Sequence, residues 1–600
     1  MKRRLSALAG CLALLWLGGL PAAALAAVFT VGGATGPGLC THPSLQSAID
    51  AAAASSGLDF IRLTRGAYAA QRVVVNDSGD LSIEGGYLEC AAPVRVDYTT
   101  LDGQGASPRG PVITHLGAGR LTLSDLQIRN GHAYGAGAST TFGGGVSSSG
   151  TGALTVYRSL IYNNTAGNGG GIYAGANAGQ TKDVTLVGVG FNSNGAAESG
   201  GGLYVLRGDV KITGDDVSYF AANHADSADI NHGGGALYAL DSIVRIDGKP
   251  PAASPFMDGN STASNGGAIH FASLSAGWRS LWMENRIGGA PLTIANNAAT
   301  RFGGAIYVRS TATGGINNAA VTLYNGIVAA NRAGEGSAFY LYGNGNDNDN
   351  AASLTLASSE PGHAAPACTA AQRCNRVDGN VSGQGPTIVL EQLGTRGRAN
   401  LFFKRGHLVN NNAVNGGGLI HGDGYVFIDN SVIGNNDAGN SALIGNSSGS
   451  IFQIQNSTVA GNLRITPSVF ALYATGGTLR LHNSIAFQPG APIHQAVAGT
   501  SADLRNLLVG DSHGLSNLAA LNIQQTPDPL FVDAAQGDFR LQQGSQAINR
   551  WSPGNGVNVP TVDLPGAARP APPSGAPTPY DFGAYEFGAV VDRIFGNGFQ

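Results

Sequence analysis

Gly266-Gly267-Ala268-Ile269 is one copy of a short pattern in which a glycine pair or triplet precedes an apolar residue. The other copies are Gly143-Gly144-Gly145-Val146, Gly169-Gly170-Gly171-Ile172, Gly200-Gly201-Gly202-Leu203, Gly234-Gly235-Ala236-Leu237, Gly303-Gly304-Ala305-Ile306, the degenerate Gly336-Ser337-Ala338-Phe339, and Gly416-Gly417-Gly418-Leu419. The first seven copies lie 26 to 37 residues apart. A period of this size is typical of a repeat architecture, in which each copy is one structural unit.

A second pattern lies upstream of most copies: an apolar residue is followed three positions later by asparagine. Its examples are Ile161…Asn164, Phe191…Asn194, Phe220…Asn223, Val328…Asn331, Ile433…Asn436 and Val459…Asn462. Runs such as Leu121–Ile128 and Val184–Val187 alternate apolar and polar residues between the two patterns. This alternation, bounded by Gly and Asn, predicts β-strands.

The repeats predict the fold because a single short strand cannot bury its apolar face alone, so successive copies must stack. We therefore expect an all-β chain that forms one right-handed parallel β-helix. Glycine fits where neighbouring rungs approach closely, and stacked Asn side chains can hydrogen-bond along the axis. The alternative of several Greek-key sandwiches gives no reason for Gly-Gly-Ala-Ile to recur at nearly fixed spacing.

Composition agrees with a solenoid. The 600 residues include 91 glycines, about twice the usual share, while charged residues are only 12%. Disorder requires low hydrophobicity, and the hydrophobic fraction here is 43%. Collagen requires Gly at every third position, which this chain lacks.

The repeats of residues 120–465 resemble those of polymorphic outer-membrane proteins and related parallel β-helix proteins with a pectate-lyase-like solenoid. The C-terminal part resembles the closing module of choice-of-anchor Q proteins, and the motifs are Asp528-Pro-Leu-Phe-Val-Asp533, Gly537-Asp-Phe-Arg-Leu541, Gly544-Ser-Gln-Ala-Ile548 and Asp581-Phe-Gly-Ala-Tyr-Glu586. Gln546 and Asn549 depart from that module, where Pro and Asp are usual. The resemblance implies an exported or surface protein without a defined activity.

Five segments are expected: a signal peptide (1–26), an N-terminal cap with the first rungs (27–110), repeats (111–520) with an insertion at 345–400, a closing module (521–587) and a terminal tail (588–600). Ser44 followed by Leu45, Ala48, Ile49 and Ala52 at helical spacing predicts a short helix that caps the open coil.

The N-terminus indicates export. Lys2, Arg3 and Arg4 precede the apolar run Leu12–Leu17, and a small-residue cleavage site, Ala24-Leu25-Ala26, follows. Leu8-Ala9-Gly10-Cys11 resembles a lipobox, which would instead make Cys11 an acylated residue. Without the three basic residues the chain has 31 Lys and Arg against 38 Asp and Glu, so nucleic acid is not expected as a partner. A monomer in the secreted or cell-surface compartment, without a transmembrane segment after cleavage, is predicted.

Four cysteines remain in the mature chain, and an even number in an exported protein favours two disulfides. The simplest pairing is Cys40 with Cys90 and Cys368 with Cys374. A zinc site made by all four is the alternative, but the two pairs lie far apart and lack CxxC spacing.

No pattern indicates catalysis strongly. Asp215-Asp216 is the one adjacent Asp pair, and no cluster of carboxylates suits a lyase or an inverting hydrolase. Gly445-Asn-Ser-Ser-Gly449 matches a nucleophile elbow, but a strand pattern follows it where a helix is required. No cofactor is expected, with calcium as the one exception. Asp347 and Asp349 could offer oxygen ligands to this ion.

Trp278, Trp282 and Arg286 form the densest aromatic and basic group, in the widest interval between regular copies. Extra residues there should leave the rung as a loop, and loops on a rigid scaffold commonly carry recognition. The sequence thus favours a non-catalytic, adhesin-like scaffold that binds glycans or cell surfaces through these residues. A divergent lyase or glycoside hydrolase acting on an acidic polysaccharide is the alternative.

Overall fold

A computed structural model describes residues 26–32, 39–55, 57–91, 94–136, 140–214, 218–248, 255–285, 291–311, 315–345, 349–358, 375–446, 449–512, 515–551, 560–569 and 579–588. Its strands form three long parallel sheets. We name the 28-stranded sheet sheet A, the 14-stranded sheet sheet B and the 11-stranded sheet sheet C. The predicted all-β parallel β-helix is confirmed, and the right-handed sense of the coil stays a prediction.

The strands of sheet A are Val28–Val31, Asp59–Thr64, Gly66–Tyr68, Leu81–Tyr87, Thr99–Asp102, Leu121–Ser124, Leu126–Arg129, Leu154–Tyr162, Lys182–Asn192, Gly208–Gly214, Tyr219–Ala221, Ile243–Gly248, Met257–Asp258, Gly277–Glu284, Leu292–Ala295, Asn317–Tyr324, Gly326–Ala329, Asn350–Ala357, Arg376–Asp378, Gly397–Lys404, His407–Val409, Tyr425–Asp429, Val432–Gly434, Ile451–Gln455, Thr458–Ala460, Thr478–Phe487, Ser501–Val509 and Ile523–Gln525. Those of sheet B are Val73–Val75, Ile113–His115, Val146–Ser148, Ile172–Gly175, Leu203–Leu206, Leu237–Leu240, Ile269–Ser273, Ile306–Ser310, Phe339–Asn344, Ile388–Leu393, Ile420–Gly422, Ile444–Asn446, Phe470–Leu472 and His494–Ala496. Those of sheet C are His132–Ala133, Thr165–Asn168, Gly195–Ser199, His224–Ala225, Ser261–Thr262, Ala298–Ala299, Arg332–Ala333, Val381–Ser382, Asn412–Ala413, Asp437–Ser441 and Leu463–Ile465.

Each rung passes from sheet B to sheet A to sheet C and then returns to sheet B one rung further along. Ile172–Gly175, Lys182–Asn192 and Gly195–Ser199 make one such rung. Within the three sheets, strands pair in parallel register with their counterparts in the next rung, as Ile269 does with Ile306. Parallel strands must be joined by a crossover, and here the other two sheets supply it.

The apolar residue after each glycine cluster points into the core. Ile172, Leu203, Ile269 and Ile306 are each 0% exposed. Across sheet B, Ile172 pairs with Leu203 and Ile269 pairs with Ile306, while Leu237 lies between Leu203 and Ile269 and pairs with both. They belong to one hydrophobic cluster that runs from the N-terminal cap to Ile523. The predicted continuous apolar stack is confirmed.

Buried asparagines form a ladder inside the coil. Its members are Asn164, Asn194, Asn223, Asn260, Asn297, Asn331, Asn380, Asn411, Asn436 and Asn462. Each Nδ2 donates to the Oδ1 of the next member at 2.9–3.0 Å. Gln488 ends the ladder by accepting from the backbone N–H of Asn462 at 3.1 Å. The sequence identified six members, and the other four follow the same spacing.

Glycine is required at two places in the repeat. The first glycine has a left-handed backbone, as at Gly266 with φ +71°. The second glycine lies against the next rung, since a Cβ on Gly267 would be 2.2 Å from the carbonyl oxygen of Gly304. The Gly-Gly pair therefore turns the chain and permits close stacking.

The N-terminal cap agrees with its prediction. The helix Leu45–Ala53 begins after Ser44, whose side chain accepts from the backbone N–H of Ser47, and it buries Leu45 and Ile49 on the first rung. Cys40 and Cys90 form a disulfide, as predicted. Cys368 and Cys374 lie outside the described residues, as do residues 1–25 of the predicted signal peptide and the predicted tail from residue 589.

The expected insertion at 345–400 is narrower than the sequence suggested. Asn350–Ala357 pairs with Asn317–Tyr324, and Ile388–Leu393 pairs with Phe339–Asn344. Arg376–Asp378 also takes its place in sheet A. The coil therefore continues through this interval, and the extra length lies in 359–374, outside the described part of the chain.

The C-terminal module lies along the side of the coil. The antiparallel hairpin of Phe531–Asp533 and Asp538–Leu541, joined by the short 3-10 helix Ala534–Gln536, packs Phe539 among apolar residues on the outer face of the last rungs of sheet A. Arg569 is buried there beside Glu586, at 3.4 Å, and donates to Asn430 of the coil. The end of the core is covered instead by Leu515, Leu518 and Leu521.

Candidate functional site

Trp278 and Trp282 lie on the strand Gly277–Glu284 of sheet A, so the prediction that they lie on a loop leaving the rung is wrong. The strand pairs with Ile243–Gly248 on one side and Asn317–Tyr324 on the other. Both indoles lie on the outer face, because residues four apart on a strand share a face and Leu281 points inward. Their Cα atoms are about 13 Å apart at 3.3 Å per residue.

The two tryptophans differ in their surroundings. The Nε1–H of Trp282 donates to the Glu284 carboxylate at 3.0 Å, and its ring lies 5.1 Å from that of Tyr324. Trp278 is 72% exposed. Trp282 is thus partly a packing residue, whereas Trp278 presents a free aromatic face to solvent.

Apolar and polar groups surround Trp278. Ile316, just before the neighbouring strand, is 62% exposed, and Leu274 on the preceding turn is 38% exposed. Asn318 is the direct partner of Trp278 across the strand pair. Its Oδ1 has no hydrogen-bond partner within the described part of the chain. We call Leu274, Trp278, Ile316 and Asn318 the Trp278 surface.

Most of the remaining predicted site residues lie outside the described part of the chain. Arg286, Asp347 and the Asp215-Asp216 pair lie outside the described residues. Asp349 is exposed before the strand Asn350–Ala357, and its backbone carbonyl accepts from the N–H of Asn317. Among the residues that the structure describes, no group of three or more His, Cys, Asp or Glu side chains could hold a metal ion.

A second aromatic group lies on the outer face of sheet B and was not found from the sequence. Its rings stack rung upon rung at centroid distances of 4.6–5.6 Å, and they are Tyr173, Tyr204, Tyr238, His270, Tyr307 and Tyr340. Each one follows the apolar residue of the glycine pattern, so the signal was present. Five of the six are at most 7% exposed, which makes this row chiefly a packing element.

The far end of this row carries two glutamates. The Tyr340 hydroxyl donates to Glu391 at 2.5 Å, and the ring of Phe302 lies 4.4 Å from that of Tyr340. Phe302 in turn pairs through its backbone with Glu335. Burial, and then the charge of Glu391, raise the pKa of Glu335 above its ordinary value.

Near the N-terminal end, Lys182 is fully buried under the turns between sheets B and A. Its ammonium donates to the carbonyl oxygens of Gly150, at 2.7 Å, and Gly152. Burial lowers the pKa of Lys182 to about 8. A cleft of about 610 Å³ lies over the same turns, lined by residues such as Asn76, Ser149 and Thr151. Lys182 thus hydrogen-bonds to the carbonyl groups of these turns and stabilises the stacking of the rungs.

No protein-family model matches the chain, and no curated protein is similar to it in sequence. None of the helices in the described ranges is long and apolar enough to cross a membrane.

Proposed function

We propose that the protein is an exported β-helix scaffold that binds carbohydrate through the Trp278 surface and attaches to glycan-bearing surfaces. The observation that carries the proposal is the 72% exposure of Trp278 on a strand hydrogen-bonded on both sides. An indole so exposed gains little from packing, whereas a sugar ring stacked on it would bury apolar area on both partners.

The rigidity of the site supports this proposal. Because the neighbouring strand Asn317–Tyr324 pairs with the backbone of Trp278, binding would order few additional groups, and the entropy cost of association would be small. Asn318 offers a hydrogen-bond acceptor to sugar hydroxyls once its side chain rotates outward. Several weak contacts along a polymer would add through avidity, which suits attachment better than a deep pocket does.

Export is supported by the Cys40–Cys90 disulfide, since disulfides persist in oxidising compartments. We also propose that the protein is related to polymorphic outer-membrane proteins and choice-of-anchor Q proteins. The asparagines of the repeat motif occupy the ladder, and Asp581 and Glu586 of the last motif are buried in the C-terminal module.

The test is binding of purified protein to insoluble cellulose, chitin, xylan and cross-linked polygalacturonate, measured by depletion from solution. Trp278→Ala should lower affinity at least tenfold for the bound polymers, with an unchanged circular dichroism spectrum. Tyr157→Ala is the matched control, because Tyr157 is also an exposed aromatic residue, at 39%, on the outer face of sheet A.

Trp282→Ala separates recognition from packing. Loss of its contacts to Glu284 and Tyr324 should lower the free energy of unfolding by about 1–3 kcal/mol. Unchanged binding by folded Trp278→Ala, or no binding of the natural sequence to any of the four polymers, refutes the proposed function.

A further inference from the structure

A loop crosses the outer face of sheet B over the aromatic row. Residues 226–232 leave sheet C after His224–Ala225 and precede the strand Leu237–Leu240 of sheet B. We call residues 226–232 the strap. Its carbonyl oxygens at positions 229 to 232 each accept a hydrogen bond from a side chain, and the donors, at 2.6–3.2 Å, are Ser264, Asn265, Tyr238 and His270. Three of these donors belong to the next rung, so the strap lies across the boundary between two rungs.

The strap is held by side chains and not by a strand ladder. Residues 226–232 form no strand, and the side chains from Ala228 to Asn231 are exposed. Arg309, two rungs further along, donates to the Asn231 side chain at 2.5 Å. Segments held by few, accessible contacts are the ones that open locally while the rest of a protein stays folded. The strap can therefore detach without breaking the pairing of sheet B.

His270 lies beneath the strap, within the aromatic row. It is 0% exposed, and its ring centre lies 4.6 Å from that of Tyr238 and 4.7 Å from that of Tyr307. Because the His232 carbonyl oxygen can only accept, the Nδ1 of His270 carries the proton and donates to it at 3.2 Å. The Nε2 has no hydrogen-bond partner within the described part of the chain. A second proton, on Nε2, would therefore be buried without a hydrogen bond.

The groups around His270 oppose its protonation. Arg309 of the next rung and His232 of the strap lie near it, and the rings of Tyr238 and Tyr307 enclose it. Burial, and then the positive charge of Arg309, lower the pKa of His270 to about 3. An imidazole in water titrates at about 6.5. Acid therefore disfavours the closed strap, because an open form binds a proton that the closed form excludes.

We propose that the strap is an acid-opened cover: protonation of His270 detaches residues 226–232 from sheet B and exposes the rings of Tyr238 and His270. In the open form, water hydrates the imidazolium and hydrogen-bonds to the strap carbonyls that His270 and Tyr238 release. The coil beneath keeps its strand pairing. An aromatic surface that is covered at neutral pH thus becomes accessible in acid.

The size of the response follows from the two protonation equilibria. The closed form keeps His270 neutral down to about pH 3, whereas the open form gains a proton as the pH falls through about 6.5. The ratio of open to closed strap should therefore rise about 25-fold between pH 7 and pH 5. The sign is that of a group whose pKa is depressed in the closed form: stability of that form is lost as the pH falls.

Other titratable groups belong to the strap or lie beside it. The N–H groups of Asn231 hold the pKa of Asp229 below its ordinary value, so this carboxylate keeps its charge between pH 7 and pH 5. His224 lies 4.0 Å from the Asp226 carboxylate. The Nδ1 of His232 lies 3.0 Å from the Ser199 hydroxyl. His232 is thus the histidine of the strap itself and the natural comparison for His270.

Hydrogen exchange read by mass spectrometry at pH 7 and pH 5 tests the proposal. Rates for the peptide 226–233 are divided by those of the unfolded chain at the same pH, which removes the intrinsic pH dependence of exchange. In the closed strap the amide of His232 donates to Asp229 O at 3.0 Å, and that of Gly233 donates to Ser199 Oγ at 3.3 Å. The protection of this peptide should fall about 25-fold at pH 5, while the strand Leu237–Leu240 should keep its protection.

Two variants assign the response to one ring. His270→Asn keeps an N–H for the His232 carbonyl but gains no proton in this range, so its protection should change less than about threefold between the two pH values. His232→Asn is the matched control and should retain the full response. If His270→Asn alters the circular dichroism spectrum, His270→Phe, which keeps a ring between Tyr238 and Tyr307, takes its place.

Four results would overturn the proposal. They are equal protection of 226–233 at both pH values in the natural sequence, a response that survives in the folded His270 variant, a response that is lost in folded His232→Asn, and a loss of protection at pH 5 that extends over the whole coil to the cap helix Leu45–Ala53. None of them bears on carbohydrate binding at Trp278, which lies on sheet A.

Discussion

Replacing Asn297 of the asparagine ladder should destabilise the coil more than its size suggests. Its Oδ1 accepts from both the backbone N–H and the Nδ2 of Asn260 at 2.9 Å, and its Nδ2 donates to Asn331 at 2.9 Å and to the carbonyl oxygen of Met257 at 3.1 Å. Asn297→Ala therefore leaves two buried donors and one buried carbonyl without their partner.

The expected loss in the free energy of unfolding follows from the two donors that are left without a hydrogen-bond partner. Each buried polar group left unsatisfied costs about 1–3 kcal/mol, so Asn297→Ala should cost about 2–6 kcal/mol. Asn297→Asp should cost more at neutral pH, since a buried carboxylate would face Asn331 Oδ1 and Met257 O. Protonation restores one donor, so this variant should recover stability as the pH falls.

Hydrogen exchange read by mass spectrometry is the suitable assay, because repeats contact mainly their neighbours and the effect should be local. A loss of 2 kcal/mol corresponds to about 30-fold faster exchange. Peptides covering 257–262 and 292–299 should accelerate, while the cap helix Leu45–Ala53 should not change. Asn192→Ala removes an exposed contact to Ser193 and is the control. Equal exchange in the two variants would refute the reasoning.

Three further results are expected. Ile269→Ala should cost about 2–5 kcal/mol, since Ile269 is 0% exposed, and a cost below about 1 kcal/mol in denaturant unfolding would contradict its place in the core. Thiol titration of the unfolded, unreduced mature chain should find no free thiol, whereas two thiols would exclude the predicted Cys368–Cys374 pair. Burial raises the pKa of Asp563 to about 6 and of Glu586 to about 8, so the folded module binds more protons than the unfolded one. The module should therefore be most stable near pH 4 and lose stability as the pH rises through 6 and 8. Its rate of proteolysis should rise over the same range, and Glu586→Gln should make that rate less dependent on pH.

The fold could be predicted from the sequence because the coil is built from local rules. The apolar residue two positions beyond each glycine pair must point inward. The Asn that lies three positions beyond an apolar residue must contact its counterpart in the next rung. Ile269 and Asn194 could therefore be placed without knowing the length of any loop. The helix after Ser44 followed from its N-cap and apolar spacing in the same way.

The candidate sites were harder to predict because they depend on where each rung takes up extra residues. The interval from Ile269 to Ile306 showed that residues were added, but not that Trp278 stays on a strand. The C-terminal motifs likewise gave no sign that Phe539 packs on the side of the coil.

The central claim, that a rigid coil presents Trp278 as a carbohydrate-binding residue, is tested most directly by oxidative footprinting. Hydroxyl radicals should oxidise exposed Trp278 much faster than buried Trp551 in the free protein. Addition of a polymer that binds in the depletion assay should slow oxidation of Trp278 at least fivefold and leave Tyr157 unchanged. Oxidation of Trp278 at the same rate with and without bound polymer would contradict the account.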